Sequence, residues 1–427
     1  MKKLLITVLT GILVLSNLTG LSVKADDSFS VPAKAALAVD AQSGKILYSQ
    51  NATTPLGIAS ITKNMVAYIV LQQIHEKKLS WNDEVKISDY AYNLAQDYGT
   101  SNIGIKEQNA EFTVRDLFNA MMIQSADSAA VALAQKIGGS EPKFVDMMRN
   151  LVKSWGITDA KIVNASGLPN SMLQGNIYPG TSDDDENMMS ATDVAIIAKH
   201  LINDYPEILD TTKQPSATFD KGGNDEQNLH TYNYMLKGYA DFRTGVDGLK
   251  TGTTTLAGAC FVGTTTQNGF RIITVVLNAD NADSDEMARF DATNSLMNHV
   301  YGTYQAADIA TKNEAFNNFN SLKVLDGQSK SVKLVASEDF SAVVPTSDEN
   351  NKSLSVKFDK SKSTQLEAAI VKGQKLVKVT TTVNDKLGYL PGSSGHPFYL
   401  VAKNDVERSA PPIVWWNHFV RFVNKSL

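Results

Sequence analysis

A single cysteine, Cys260, is present in a 427-residue chain that begins like an exported protein. A positive start is followed by an apolar run at residues 4–14 and by small residues in Val23-Lys24-Ala25. This order is typical of a secretory signal peptide, so we expect a leader over residues 1–25. The alternative is an uncleaved membrane anchor, for which the apolar run is short. Because one cysteine cannot form an internal disulfide, the exported fold must be held together by its hydrophobic core.

Composition excludes several other classes of protein. The hydrophobic fraction is 43% and the formal net charge is −5, values typical of a folded chain rather than a disordered one. The length exceeds what one core usually absorbs, so we expect two domains. Beyond the N-terminus there is no apolar run of about 20 residues and no basic block, which argues against a polytopic membrane protein and a nucleic-acid binder.

The pattern of apolar residues divides the chain into two parts. In the first part, strands are predicted at residues 36–39, 46–48, 258–265 and 270–278. Helices are predicted from Ser60 onward and at residues 114–138, 144–155 and 285–304.

After about residue 310 the pattern changes to short alternating runs of Val, Thr, Lys and Ser, which predict a small all-β domain over residues 311–400. The acidic run at residues 183–186 lies in a predicted loop before this change. Four acids can bind Ca²⁺, but ligand spacing is absent, and we interpret the run as a solvated loop.

The C-terminal segment, residues 411–427, predicts an amphipathic helix. When it is wound as a helix, its apolar side chains share one half of the surface, and the polar ones the other. Trp415 and Trp416 on the apolar half, with Arg421 on the polar half, suit a helix that lies in the headgroup region of a membrane. The alternative is a terminal helix that packs on its own domain.

Ser60 and Lys63 are three residues apart at the start of a predicted helix, which places both side chains on one face. A desolvated lysine can lose its proton and take the hydroxyl proton as serine attacks a carbonyl carbon. The spacing alone means little, since Ser140 and Lys143 share it and we interpret Ser140 as a helix cap. The Ser-x-x-Lys spacing indicates a catalytic site only in combination with other motifs.

Two more motifs follow in the chain. Ser125-Ala126-Asp127 lies within the predicted helical region. Lys250-Thr251-Gly252 precedes the strand predicted from Gly258, whose edge can bind an extended peptide by main-chain hydrogen bonds. Lys250 supplies positive charge and Thr251 a hydroxyl for a substrate carboxylate, while Gly252 lets the backbone approach closely.

In this order, the three motifs resemble those of the penicillin-recognising serine enzymes. Further local similarities indicate the low-molecular-mass penicillin-binding proteins, the serine D-alanyl-D-alanine carboxypeptidases. These are Val39-Asp40-Ala41-Gln42-Ser43-Gly44, Asn164-Ala165-Ser166-Gly167-Leu168-Pro169, Ser190-Ala191-Thr192-Asp193 and Val246-Asp247-Gly248-Leu249-Lys250.

The resemblance implies an α+β fold, in which an antiparallel sheet with a helical subdomain forms a catalytic domain over residues 26–310. The small all-β domain and the amphipathic C-terminal segment also match the layout of that family. The expected location is the outer face of the cytoplasmic membrane of a bacterium, with peripheral attachment through the C-terminus.

The resemblance implies that Ser60 is the nucleophile, with Lys63 as its base and Ser125 as a further catalytic group. Lys250, Thr251 and Gly252 would bind substrate, and Thr253 would supply an oxyanion-hole N–H together with Ser60.

Asp127 and Arg289 match the family in different ways. The middle motif of the family usually ends in Asn, whereas the Asp127 carboxylate can only accept hydrogen bonds. Arg289 matches a helix arginine that helps to hold the terminal carboxylate of the substrate; the alternative is a surface helix charge.

The implied activity is removal of the terminal D-Ala from peptidoglycan stem peptides through an acyl-enzyme, with inhibition by β-lactams and no metal or cofactor. The alternatives are a β-lactamase, an endopeptidase or transpeptidase of the same fold, or a catalytically silent wall-binding protein. A class A β-lactamase would need a Glu near Gly167, and the adjoining sequence has none.

Overall fold

The computed structural model describes residues 29–282, 284–316, 319–348, 351–359 and 366–426. The predicted leader over residues 1–25 lies outside the described residues. The elements below belong to a compact unit that begins at Val31.

In the described part of the chain the α-helices largely follow the predicted apolar periodicity. They are α1 (Lys63–His75), α2 (Asp89–Ala95), α3 (Val114–Ile123), α4 (Asp127–Gly138), α5 (Glu141–Ser154), α6 (Ala191–Asp204), α7 (Ile208–Thr212), α8 (Ala288–Thr303) and α9 (Pro411–Ser426). Short 3₁₀ turns occupy Ala59–Thr62 and Asn170–Met172.

The strands of the first part are β1 (Ala33–Asp40), β2 (Ile46–Gln50), β3 (Leu56–Gly57), β4 (Glu84–Lys86), β5 (Glu111–Thr113), β6 (Met188–Met189), β7 (Ser216–Phe219), β8 (Gln227–His230), β9 (Val246–Thr254), β10 (Gly258–Gln267) and β11 (Phe270–Ala279). Those that follow are β12 (Tyr304–Ala310), β13 (Ser321–Leu325), β14 (Ser331–Ala336), β15 (Phe340–Pro345), β16 (Leu354–Asp359), β17 (Leu366–Glu367), β18 (Lys375–Val383) and β19 (His396–Ala402).

A five-stranded antiparallel sheet in the order β2-β1-β11-β10-β9 forms the centre of the first part. Both faces of its central strands are buried, which explains why β1 and β11 read as nearly continuous apolar runs. Ala35, Leu37 and Val39 belong to the core shared with α1 and α6, whereas α8 packs against β10 and β11. The expected α+β class is confirmed, and β9 forms one edge of the sheet.

Two elements differ from the prediction. The single helical region expected at residues 114–138 is broken between α3 and α4, because Ser125 takes a left-handed backbone angle, φ 63°, that a continuous helix excludes. Lys250-Thr251-Gly252 does not merely precede a strand but lies within β9, which pairs with β10. Apolar periodicity carries no information on either feature.

The predicted all-β part is present. β16-β18-β19-β14-β13-β17 form a six-stranded sheet over their own apolar core, and β12 pairs with β15. Buried Lys45, just before β2, donates to the Asp385 carboxylate at 2.7 Å and to the Gly388 carbonyl at 2.9 Å. This buried cation therefore joins the β1–β2 hairpin to the loop after β18.

Helix α9 has the predicted amphipathic pattern, and its polar side contacts the β domain. Asp326, only 1% exposed, accepts hydrogen bonds from Arg421 and Asn417 and contacts the His418 ring. The Arg421 hydrogen bonds, above all, lower the pKa of Asp326 to about 2, so this carboxylate stays charged.

The apolar side of α9 faces outward. Its exposed side chains are Ile413, Trp415, Trp416, Phe419, Val420 and Phe422. Among the described residues, no helix has the length and apolar character needed to cross a membrane.

Candidate active site

Ser60 and Lys63 meet where the 3₁₀ turn passes into α1. Lys63 is the first residue of α1 and is 0% exposed. Its Nζ lies 2.7 Å from Ser60 Oγ, 2.6 Å from Asp127 Oδ1 and 2.8 Å from the Ser166 carbonyl oxygen. A charged lysine would donate to all three oxygens, whereas a neutral one would donate to two and accept the Ser60 proton.

Burial favours the neutral form of both partners in the Lys63–Asp127 pair. Desolvation lowers the pKa of Lys63, while the charge of Asp127 partly opposes this shift. Desolvation likewise raises the pKa of Asp127, against the charge of Lys63. We conclude that the amine is far easier to deprotonate here than in water, as a base for a serine hydroxyl must be.

The break between α3 and α4 brings the second motif to the same place. Ser125 occupies the break with its left-handed backbone angle and lines the cleft that contains Ser60. Asp127 begins α4, and its main-chain N–H donates to the Ser101 carbonyl at 2.8 Å. A strained backbone at a break of this kind is often found at functional sites.

The third motif runs along β9 beside the turn that carries Ser60. A Cβ atom on Gly252 would lie 2.6 Å from the Ile58 carbonyl oxygen, so only glycine permits this close approach. Thr251, Gly252 and Thr253 all line the cleft.

Lys250 is buried in the same region. Desolvation first, and then the charge of Lys63, lower its pKa well below the ordinary lysine value, whereas Asp127 acts in the opposite direction.

Arg289 reaches this strand from α8. Its guanidinium donates to the Gly252 carbonyl at 3.0 Å and to Thr253 Oγ1 at 2.8 Å. It is therefore part of the cleft wall, not a helix charge directed into solvent.

The three motifs and Arg289 surround a cleft of ≈ 220 Å³. The remaining lining residues are Ser101, Tyr232, Tyr234, Glu286 and Phe290. Arg289 in the wall gives the Thr251–Thr253 side a positive character that suits a substrate carboxylate.

Two further groups contact the site or its loops, and neither of them was given a role from the sequence. The Ser166 carbonyl binds Lys63, and Gly167 follows it with φ 88°. The similarity of residues 164–169 to the family had indicated that this segment matters, but it did not predict that a main-chain carbonyl would contact Lys63.

Glu141 is the other contributor, and its carboxylate accepts the Ala165 N–H at 2.9 Å. Thus an acid does reach the loop next to Gly167, from a residue distant in sequence, although it does not line the cleft. The acidic run at residues 183–186 is divided between partners: Asp185 binds Lys161, and Glu186 accepts the Thr254 hydroxyl.

Two family models match the chain. The D-alanyl-D-alanine carboxypeptidase model matches residues 21–281, more than half of the chain, and the model for the C-terminal domain of penicillin-binding protein 5 matches residues 304–408. The curated D-alanyl-D-alanine carboxypeptidase DacF of Bacillus subtilis (strain 168) is 28% identical over 431 residues, which cover 100% of this chain and 98% of the relative.

Solved structures agree with these matches. A peptidoglycan synthesis regulatory factor (PBP3) from Streptococcus pneumoniae has a TM-score of 0.81 and 41% identity, covering 89% of this chain and 100% of that one. Penicillin-binding protein D2 from Listeria monocytogenes, in the ampicillin-bound form, has a TM-score of 0.53 and 31% identity, covering 64% and 98% of the two chains.

The Lys63–Asp127 pair predicts the effect of Asp127→Asn. Asp127 raises the pKa of Lys63, so the neutral amide should lower that pKa further and leave more neutral Lys63 at a given pH. We expect the acid limb of the rate of Ser60 acylation by a fluorescent penicillin to move to lower pH by about one unit.

The exposed Asp210 offers a matched control, and Asp210→Asn should leave the acid limb unchanged. An acid limb that stays in place in Asp127→Asn, or that moves to higher pH, would contradict this electrostatic role of Asp127.

Proposed function

The chain belongs to the D-alanyl-D-alanine carboxypeptidase family, and we propose that Ser60 is the nucleophile with which it removes the terminal D-Ala from peptidoglycan stem peptides. The family agrees with the expectation drawn from the three motifs. The single observation that carries the residue assignment is the contact of buried Lys63 with Ser60 Oγ, beneath a cleft lined by the other two motifs.

Acylation begins with a proton transfer inside the Lys63 cluster. Asp127 and the Ser166 carbonyl each take one N–H of neutral Lys63, which leaves the nitrogen lone pair for the Ser60 hydroxyl proton. Ser60 Oγ then attacks the carbonyl carbon of the penultimate D-Ala. The developing oxyanion accepts hydrogen bonds from the Ser60 and Thr253 N–H groups.

The substrate is oriented through its terminal carboxylate. Arg289 supplies positive charge, while the hydroxyls of Thr251 and Thr253 supply neutral donors. This recognition requires a free C-terminal carboxylate next to the scissile bond, which favours a carboxypeptidase over an enzyme that cleaves within a longer peptide.

The cycle ends with hydrolysis. The bond between the two D-Ala residues breaks, and the leaving amine takes the proton held by Lys63, by way of the Ser125 hydroxyl. Water then attacks the Ser60 ester, giving the shortened peptide and free serine. Every group in this cycle comes from the chain or from water, so the mechanism calls for no metal or cofactor.

A β-lactam follows the same first step. Its ring carbonyl is attacked by Ser60, the ring amide bond opens, and the leaving nitrogen stays tethered to the acyl group. The ampicillin-bound Listeria relative supports this extension.

We also propose that α9 attaches the enzyme to the outer face of a bacterial cytoplasmic membrane. Because Asn417, His418 and Arg421 hold the polar side of α9 against Asp326, the aromatic side is directed away from the β domain. Exposed Trp and Phe side chains on such a helix are suited to the headgroup region of a bilayer.

The nucleophile assignment predicts that Ser60→Ala abolishes both activities. Purified protein is mixed with an L-Lys-D-Ala-D-Ala peptide and, separately, with a fluorescent penicillin. Wild type should release D-Ala and retain the label, whereas Ser60→Ala should lose at least about a thousandfold in D-Ala release and take no label.

Ser140→Ala is the matched control, because Ser140 has the same Ser-x-x-Lys spacing, and it should keep both activities. Rapid turnover of penicillin by wild type would indicate a β-lactamase. A protein that takes no label and releases no D-Ala would be a silent wall-binding protein.

The anchor proposal predicts release of active enzyme when residues 411–427 are deleted. Most of the truncated protein should move from the membrane fraction to the medium with unchanged D-Ala release. Replacing exposed Trp415, Phe419 and Phe422 by Ser should have the same effect.

Retention of either variant on the membrane would contradict the proposal. If the deletion variant aggregates while the Ser variant folds and stays on the membrane, α9 belongs to the folded β domain instead.

A further inference from the structure

Glu141 is a buried carboxyl group to which the mechanism above gives no role. It is the first residue of α5 and is 4% exposed, and Ser140 before it makes no side-chain capping bond. Its Oε1 accepts the main-chain N–H of Ala165 at 2.9 Å. The Glu141 side chain on α5 therefore fixes the position of the loop at residues 164–168, which contacts Lys63.

That loop has direct contact with both catalytic residues of the Ser60–Lys63 pair. The Ser166 carbonyl, one residue after Ala165, accepts Lys63 Nζ at 2.8 Å. A Cβ atom on Gly167 would lie 2.0 Å from the Ala59 carbonyl oxygen, so the loop backbone packs against the residue before Ser60. Movement of Ala165 would therefore displace an acceptor of Lys63.

The second oxygen of Glu141 lies near Tyr90 on α2. Glu141 Oε2 and Tyr90 Oη are both buried, and neither has a hydrogen-bond partner of good geometry among the described residues. The two groups are neighbours, because burial and then the charge of Glu141 raise the pKa of Tyr90, while the contact with Tyr90 lowers the pKa of Glu141. The Tyr90 hydroxyl carries a proton of its own, so Tyr90 is the donor of this pair and the Glu141 carboxylate is the acceptor.

Burial makes these two donors important for Glu141. Desolvation raises the pKa of Glu141 to about 7, whereas the Ala165 N–H and Tyr90 lower it. Both donors therefore favour the ionised carboxylate, which accepts the Ala165 N–H through Oε1 and faces Tyr90 with Oε2.

We propose that Glu141 is a positioning residue for acylation, whose carboxylate holds the Ala165 N–H and thereby keeps the Ser166 carbonyl on Lys63. The inference rests on the proposed function, because it assumes that Lys63 activates Ser60.

The test first compares Glu141→Gln with wild type. Glutamine keeps an acceptor oxygen for the Ala165 N–H. The second-order rate constant for Ser60 acylation by a fluorescent penicillin is measured, and the variant should stay within about threefold of wild type. Asp146→Asn, the same kind of change at an exposed position of α5, should leave the rate constant unchanged.

A second variant tests the link to Ala165. Glu141→Ala removes the acceptor, and we expect acylation to fall by about 10- to 100-fold with an unchanged circular dichroism spectrum. If this variant does not fold, Glu141→Asp takes its place, because its side chain is one methylene shorter and should also lower the rate of acylation.

The outcomes separate the two proposals. A wild type whose Ser60 is not acylated overturns the proposed function and this inference together. If wild type is acylated, a folded Ala variant of normal rate, or a Gln variant that falls as far as the Ala variant, overturns the role of Glu141 only.

Discussion

Lys63 Nζ is held by three oxygen atoms from three separate parts of the chain: the Ser60 hydroxyl, the Asp127 carboxylate and the Ser166 carbonyl. A buried ammonium ion is costly unless it is fully paired, so the fold around it must supply these partners accurately. The same burial also lowers the pKa of the Lys63 amine. One environment therefore both fixes the position of Lys63 and makes its neutral, basic form more accessible.

Several features of the backbone follow from this requirement. The break at Ser125 turns α4 so that Asp127 points at Lys63, and Gly167 lets the 164–168 loop pack against Ala59. Gly252 similarly lets the edge strand β9 run beside the nucleophile turn. Positive charge from Arg289 is thereby placed beside the cleft, where it can select a substrate that ends in a carboxylate.

The order of the motifs in the sequence singled out Ser60, Lys63, Ser125 and Lys250, and the fold brings these residues to one region. The α+β class followed from the family resemblance, and the all-β second part from the alternating apolar pattern. Left-handed angles and edge positions have no such signature, so the helix break and the place of β9 were missed.

Long-range contacts were also hidden from the sequence. Glu141 belongs to a Ser-x-x-Lys segment that we interpreted as a helix cap, and only the folded chain brings its carboxyl group to Ala165. The amphipathic pattern of α9 was visible, but its contact with Asp326 through the polar side was not. Both contacts join residues that are far apart in sequence, and local sequence patterns do not predict such contacts.

The central claim is that Lys63 is neutral when it activates Ser60, and nitrogen NMR of isotope-labelled lysine side chains tests it most directly. The Lys63 signal is assigned by its loss in Lys63→Arg and followed as a function of pH. If Lys63 is the base, it loses its proton below the ordinary lysine pKa of 10.5. A Lys63 that stays protonated up to that ordinary value would contradict this role.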